Sequence, residues 1–289
     1  MIVPSQPIDY PVSLDVSVVV YRSDLIWLSR TLVSLAAAVD KAITRNIVSQ
    51  CRITIVDNDA KATDQEKLLL SQVIEAVLVN GITACTHRIL HAPSNRGYGA
   101  GNNAALKDSV AEYVLILNPD VQMKPNSITN AIIYMTQHAT CAMVSPVATS
   151  VDGSAQYLVK AYPDVTTLLV RGFAPKWLKT LANRRLLNYD RADVAYDVAL
   201  HDAVIVSGCC MLMRGDVWRH VGGFDEKFFL YFEDFDLSKR VADISQIHRL
   251  PSFQIIHAGG NASNKGMKHI VLFVQSAIRF FQKHGWQFY

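Results

Sequence analysis

Cysteine is scarce and oddly distributed in this chain. Its five cysteines, Cys51, Cys85, Cys141, Cys209 and Cys210, include no Cys-x-x-Cys pair. An odd count without that spacing argues against a disulfide framework and a zinc site, and for a reducing compartment. No apolar run approaches the roughly 18 residues that a membrane span requires. Met1–Pro11 has neither a basic start nor an apolar core, so no secretory leader is expected. Charge is also sparse: 18% of residues are charged and the formal net charge is +3, too little to argue for nucleic acid. Internal repeats and low-complexity linkers are missing. So is a glycine-rich turn after the first strand, where Tyr21-Arg22-Ser23 stands instead, which argues against a dinucleotide fingerprint and a nucleotidyltransferase. The expectation is a soluble cytoplasmic protein.

What is present is apolar and periodic. Half of the 289 residues are hydrophobic, enough to bury a sizeable core in one large α/β domain or two small ones. After a proline-bearing lead-in over Met1–Leu14, the β-branched run Val16–Tyr21 predicts a first strand. Asp24 stands where a helix cap belongs, ahead of Leu25, Leu28, Leu32 and Leu35 at helical spacing. Further strands are expected at Arg52–Val56, His87–His91, Ala142–Val147, Val204–Met213 and Phe253–His257. Helices are expected at Asp64–Val79, near Ala104–Val110, at Ser127–His138 and at Lys265–His284. Their periodicity predicts apolar faces of Leu68, Leu69, Val73, Ile74 and Val77 in the first of these, and of Ile270, Val271, Val274, Ala277, Ile278 and Phe281 in the last. The alternation implies a mostly parallel, doubly wound sheet. Asp152–Asp202 breaks it, scattering Lys160, Arg171, Lys176, Lys179, Arg184 and Arg185 without clean period. That stretch reads as an excursion over the active-site face.

The strand Tyr113-Val114-Leu115-Ile116-Leu117 is apolar throughout, as a strand buried on both faces should be. Asn118-Pro119 stops it, because proline cannot donate to a ladder, and Asp120 is left at the strand's carboxyl end. In open α/β sheets ligands bind at that edge, where a carboxylate meets a cation and the cation meets phosphate. Asp57, ending the second strand, either accepts from a ribose or base or makes an Asx turn with Asn58-Asp59. The glycines of Gly97-Tyr98-Gly99-Ala100-Gly101 would let a loop pass close to a nucleotide and to the next helix. Arg96 beside them reaches a phosphate or is an exposed arginine on a turn.

Phe229-Leu230-Tyr231-Phe232-Glu233-Asp234-Phe235-Asp236-Leu237 sets three carboxylates among large apolar residues. Burial beside aromatics raises a carboxyl pKa and costs free energy, so a purely structural role fits Glu233 and Asp234 poorly. One of them is placed to deprotonate a hydroxyl. Asp236 lies four residues before Arg240 and reads as an ordinary ion pair. His257 is either a satisfied structural histidine or, if it meets Asp120, a second protein ligand for Mg²⁺ or Mn²⁺. The last helix, with Lys265, Lys268, Arg279 and Lys283, packs on the domain or rests on an anionic membrane surface.

Taken in order, Val18-Val19-Val20-Tyr21, Val56-Asp57-Asn58, Asn95-Arg96-Gly97-Tyr98-Gly99-Ala100-Gly101-Asn102-Asn103, Leu117-Asn118-Pro119-Asp120, Ser207-Gly208, Gly222-Gly223-Phe224-Asp225-Glu226 and Phe232-Glu233-Asp234-Phe235-Asp236-Leu237 resemble the inverting family 2 glycosyltransferases. Within them the sequence looks most like bacterial rhamnosyltransferases of O-antigen and cell-surface polysaccharide assembly. The resemblance spans roughly Val16 to His284 and implies a GT-A, Rossmann-like fold. Residues 1–264 would form the glycosyltransferase domain, with a nucleotide-binding half at about 15–150 and an acceptor half at about 151–264, and residues 265–289 a C-terminal amphipathic helix.

The resemblance also assigns roles. Asp57 goes to the base or ribose, and Tyr21, Arg96, Gly97 and Asn118 to the rest of the donor nucleotide. Asp120, ending an Asn-Pro-Asp version of the DxD-type motif, goes to a divalent metal, with His257 completing the metal or diphosphate site. Asp234 is the general base with Glu233 beside it, and Ser207 and Gly208 lie on the acceptor side. Asp59-Ala60 departs from the small residue and serine frequent in relatives. The implied donor is dTDP-L-rhamnose and the implied acceptor a glycan on polyprenyl diphosphate, at the inner face of the plasma membrane. Galactofuranose, glucose or N-acetylglucosamine from a UDP donor is the nearest rival; the oligomeric state is left open.

Overall fold

The computed structural model describes residues 10–81, 85–259 and 266–289. Most of the lead-in arm (residues 1–9), Gly260 after His257, and Lys265 before the last helix lie outside the described residues. The first half runs β1 (Val12–Val20), α1 (Leu25–Thr44), β2 (Val48–Asp57), α2 (Asp64–Gly81), β3 (Cys85–His91), α3 (Tyr98–Leu106), β4 (Tyr113–Leu117), β5 (Val121–Met123), α4 (Ser127–Gln137) and β6 (Cys141–Thr149). The second half adds β7 (Ala155–Gln156), β8 (Val159–Lys160), α5 (Val165–Phe173), α6 (Lys176–Leu181), α7 (Asn183–Tyr189), β9 (Ile205–Val206), β10 (Cys210–Arg214), α8 (Gly215–Val221), α9 (Glu233–Ala242), β11 (Gln246–His257) and α10 (Met267–His284).

Nine strands form one sheet in the order β3-β2-β1-β4-β10-β6-β11-β5, with β7 paired to β6. β3, β2, β1 and β4 are mutually parallel. The antiparallel β10 stands between β4 and β6, and β11 runs parallel to β6. β4 shows why the sheet lies at the centre. Its side chains alternate, Tyr113, Leu115 and Leu117 entering the core with α1, α2 and α4, and Val114 and Ile116 entering a second core with α3, α8 and α9. All five are fully buried, because a strand covered on both faces must be apolar at every position.

Some element boundaries and faces differ from those the sequence predicts. β1 begins at Val12, inside the expected lead-in, and the expected loop at Tyr98–Asn103 is already helix. α2 turns Leu70, Ile74 and Leu78 inward and leaves Leu68 and Leu69 exposed. The i, i+4, i+8 stripe wins over its neighbour because α2 packs on α1 along it. In α10 the buried residues are Ser276, Phe280 and Phe281, with Phe273 and Ala277 beside them, whereas Ile270, Val271, Val274 and Ile278 are exposed. Aromatic bulk decided that face: Phe280 fits among Phe232, Phe235 and Tyr162.

Candidate functional site

The topology gathers the candidate residues at one edge. β1, β2, β4, β6 and β11 all end there, and the antiparallel β10 begins there. The chain runs outward from β1 to β3 and then crosses back to β4, so the order reverses between β1 and β4. A crevice opens at such a switch point. Asp57 and Asp120 follow the strands on either side of β1.

At the β1–β2 end a cavity of about 580 Å³ is lined by Val20, Arg22, Asp57, Asp59, Lys61 and Leu70, among others. Asp57 is buried; its Oδ1 accepts from the Asp59 amide at 3.0 Å and its Oδ2 lies 3.1 Å from His91 Nδ1. The Asx turn and the cavity-lining position are thus both present in one side chain. Asp59 accepts from Arg22 Nε at 2.7 Å, and that hydrogen bond holds its carboxyl below the usual range. The pair closes one side of the cavity. Tyr21 is half exposed beside it, with the Arg22 guanidinium 5.5 Å from its ring.

Beyond β4 the Asn118-Pro119-Asp120 turn is tied down from three directions. The Asn118 amide donates to Cys209 O at 2.8 Å, Thr31 donates to Pro119 O at 2.8 Å, and the Ala258 amide donates to Asp120 O at 3.0 Å. Asp120 and His257 meet, Nε2 lying 3.6 Å from Oδ1. That oxygen is buried and has no hydrogen-bond partner among the described residues. A Cβ on Gly259 would stand 2.3 Å from Asp120 Oδ2 and 3.0 Å from His257 Nε2, so the backbone leaves the pair open. A buried orphan carboxylate oxygen facing an imidazole nitrogen is a donor set that fits a divalent cation. Among the described residues no third histidine, cysteine or acid joins them.

The larger cavity, about 710 Å³, is walled by Asp234, Ser207, Phe232 and Phe235 on one side and by Gln156, His257 and Gly259 on another, with Lys160, Arg171, Tyr189 and Asp190 from the basic excursion. Asp234 Oδ2 accepts from the Gly208 amide at 2.9 Å, and Oδ1 from the Phe235 amide at 3.0 Å. Gly208 O in turn accepts from Tyr98 at 2.8 Å. Burial raises the Asp234 carboxyl above the ordinary aspartate range, against the pull of those amides. Glu233 is buried beneath it and absent from the cavity wall; burial and the Asp234 charge push its carboxyl well up. Tyr231 and Phe232, just before α9, both adopt left-handed backbone, φ 69° and 61°. Such residues cost about 1–3 kcal/mol each and persist where the surroundings dictate them. Nothing in the sequence signalled that turn.

Two donor-side expectations find other partners. Arg96 is exposed and pairs with Glu226 at 2.7 Å rather than pointing into either cavity. Gly97, at φ +99°, approaches the protein itself, since a Cβ there would stand 2.1 Å from Phe229 O. Gly97→Ala is therefore expected to cost about 1–3 kcal/mol or more through left-handed strain and that clash, read as a lowered urea midpoint. An unchanged midpoint would show that the loop adapts.

The glycosyl transferase family 2 model matches residues 18–221. An N-acetylglucosaminyl-diphospho-decaprenol L-rhamnosyltransferase of Mycobacterium tuberculosis is 26% identical over 200 residues, 62% of this chain and 61% of that protein. Rhamnosyltransferase WbbL of Escherichia coli is 26% identical over 175 residues, 56% and 60% of the two chains. The chain thus spans about three fifths of the curated relatives it matches. Among solved structures, a Pyrobaculum calidifontis mannosyltransferase in complex with GDP-Man and Mn²⁺ superposes at TM-score 0.59 with 15% identity, covering 95% of this chain and 66% of that one. That likeness is one of fold.

Proposed function

The chain belongs to glycosyl transferase family 2, and from that premise we propose that it is an inverting glycosyltransferase moving L-rhamnose from dTDP-L-rhamnose to a hydroxyl of a lipid-linked glycan, in bacterial O-antigen or cell-surface polysaccharide assembly. The observation that carries the reading is Asp234: an amide-held carboxylate on the wall of a cavity that also receives His257. Asp57 and its cavity take the nucleoside, and Asp120 and His257 stand at the diphosphate. The rhamnosyltransferase names of two relatives support the sugar. The diphospho-decaprenol in one name supports an acceptor on a polyprenyl diphosphate.

In the reaction, Asp234 accepts the proton of the acceptor hydroxyl as its oxygen attacks the anomeric carbon from the face opposite the nucleoside diphosphate. One displacement inverts that centre, so no covalent nucleophile is required of the protein. Asp120 and His257 would hold a Mg²⁺ or Mn²⁺ ion, which when bound supplies positive charge to the departing diphosphate. α10 packs on the domain through Phe280 and Phe281, and its exposed Ile270, Val271, Val274 and Ile278 are the apolar surface that peripheral contact with the membrane would use. No described helix is long and apolar enough to cross one.

Calorimetric titration with dTDP, UDP and GDP, each with and without Mn²⁺, tests the reading. Metal-enhanced binding selective for dTDP is the expected result. Preference for UDP would keep the chemistry and replace the sugar, and binding of none by folded protein would overturn the donor assignment.

A further inference from the structure

Gln156 carries no motif, yet its side chain lies at the centre of the Asp120–His257 region. Its amide nitrogen faces three acceptors: Ser150 Oγ at 2.7 Å, His257 O at 3.0 Å and Gly259 O at 3.3 Å. Its Oε1 lies 2.8 Å from His257 Nδ1. The amide cannot turn over, because its oxygen would then face two carbonyl oxygens and leave its NH₂ against the imidazole. With the oxygen fixed at Nδ1, the imidazole nitrogen there must carry the proton and donate it.

We propose that Gln156 is a positioning residue that locks neutral His257 in its Nδ1–H tautomer and so presents the Nε2 lone pair toward Asp120 as a metal ligand. The logic is that of outer-shell groups generally: the hydrogen bond at one ring nitrogen decides which nitrogen is left to ligate and fixes the ring's orientation. Gln156 also straps the chain on either side of Ala258, through His257 O and Gly259 O, and Gly259 is where a Cβ would intrude on both ligands. Its placement by the short strand β7, paired to β6 at Ala148↔Gln156, makes the excursion's first hairpin a support for the site. The reading rests on the proposed metal role of Asp120 and His257, but its first test does not need the metal.

That test is the two-bond ¹H–¹⁵N spectrum of the metal-free protein above neutral pH, with His257→Asn used to assign the ring. The expected pattern is the Nδ1–H tautomer. An Nε2–H tautomer, or a ring doubly protonated against Asp120, overturns the inference whether or not the protein binds metal. The second test is Gln156→Met, similar in length and without the amide. Mn²⁺ titration in the presence of dTDP is expected to weaken about 10–100-fold, with metal-free dTDP binding unchanged and the tautomer preference lost from the spectrum. Undiminished Mn²⁺ affinity in that variant would overturn the proposal. If the wild-type protein shows the Nδ1–H tautomer but takes up no Mn²⁺, the metal reading fails and the tautomer lock stands.

Discussion

Asp234→Asn lowers the turnover of sugar transfer by about 10²–10⁴-fold, the range a positioned general base contributes, while nucleoside diphosphate binding survives. The substitution keeps the shape and an oxygen for the Gly208 amide, at the cost of turning an NH₂ toward the Phe235 amide that Oδ1 accepts from. What it removes is the ability to take a proton. The pH dependence carries the same signature. Burial raises the Asp234 carboxyl above the ordinary aspartate value of 3.8. A base works only when ionised, so activity should rise with pH along a limb lying above that value and vanish below it. Burial and the Asp234 charge push the neighbouring Glu233 carboxyl up as well. A kinetic profile and a parallel titration with dTDP check both halves. Loss of donor binding together with turnover would move Asp234 into the donor site.

How legible the site was depends on whether chemistry or contact fixes a residue. Asp57, Asp120 and His257 are strand-end residues, and a run of apolar residues that stops announces its own edge. That edge is where ligands bind in open α/β sheets. The Asp24 cap is similar: its side chain accepts from the Ile26 and Trp27 amides, a local bond between near neighbours. Gly97 shows a limit of sequence reading, because a glycine-rich stretch reads alike whether the close approach is to a ligand or to Phe229. Only tertiary structure decides. Gln156 was invisible for the opposite reason. Its role is made by a two-residue strand and four hydrogen-bond distances, none of which leaves a periodicity or a spacing. The α2 and α10 faces were read only in part, Ile74, Ala277 and Phe281 packing inward as expected, because both helices offer two adjacent apolar stripes and the packing partner chooses between them.

The same distinction bears on Asp236, where the expected i, i+4 pair with Arg240 is present at 2.8 Å but is a fraction of what the carboxylate does. Asp236 has no exposed surface, and its other oxygen lies 2.6 Å from Lys283 Nζ and 2.8 Å from His284 Nε2, both on α10. Arg240 also donates to Val221 O and Gly223 O. One buried anion thus joins α9, the turn after α8 and the C-terminal helix. Asp236→Ala strips Arg240, Lys283 and His284 of their shared partner, and breaking such a buried pair from one side costs about 3–5 kcal/mol. Lys283 keeps Asp225 at 2.8 Å, which places the expectation at the lower end. Because Asp236 itself is out of solvent, salt should screen the effect less than it would a surface pair. Urea unfolding measures it, and proteolysis should then reach α10 before the sheet. The consequence for function follows from Phe273 of α10 and Phe232, which share the wall that carries Asp234. A loosened helix should lower turnover without changing dTDP affinity. A loss under about 1 kcal/mol, the value of an exposed ion pair, would mean that α10 stands off the domain in solution and that Asp236 has only Arg240 to hold.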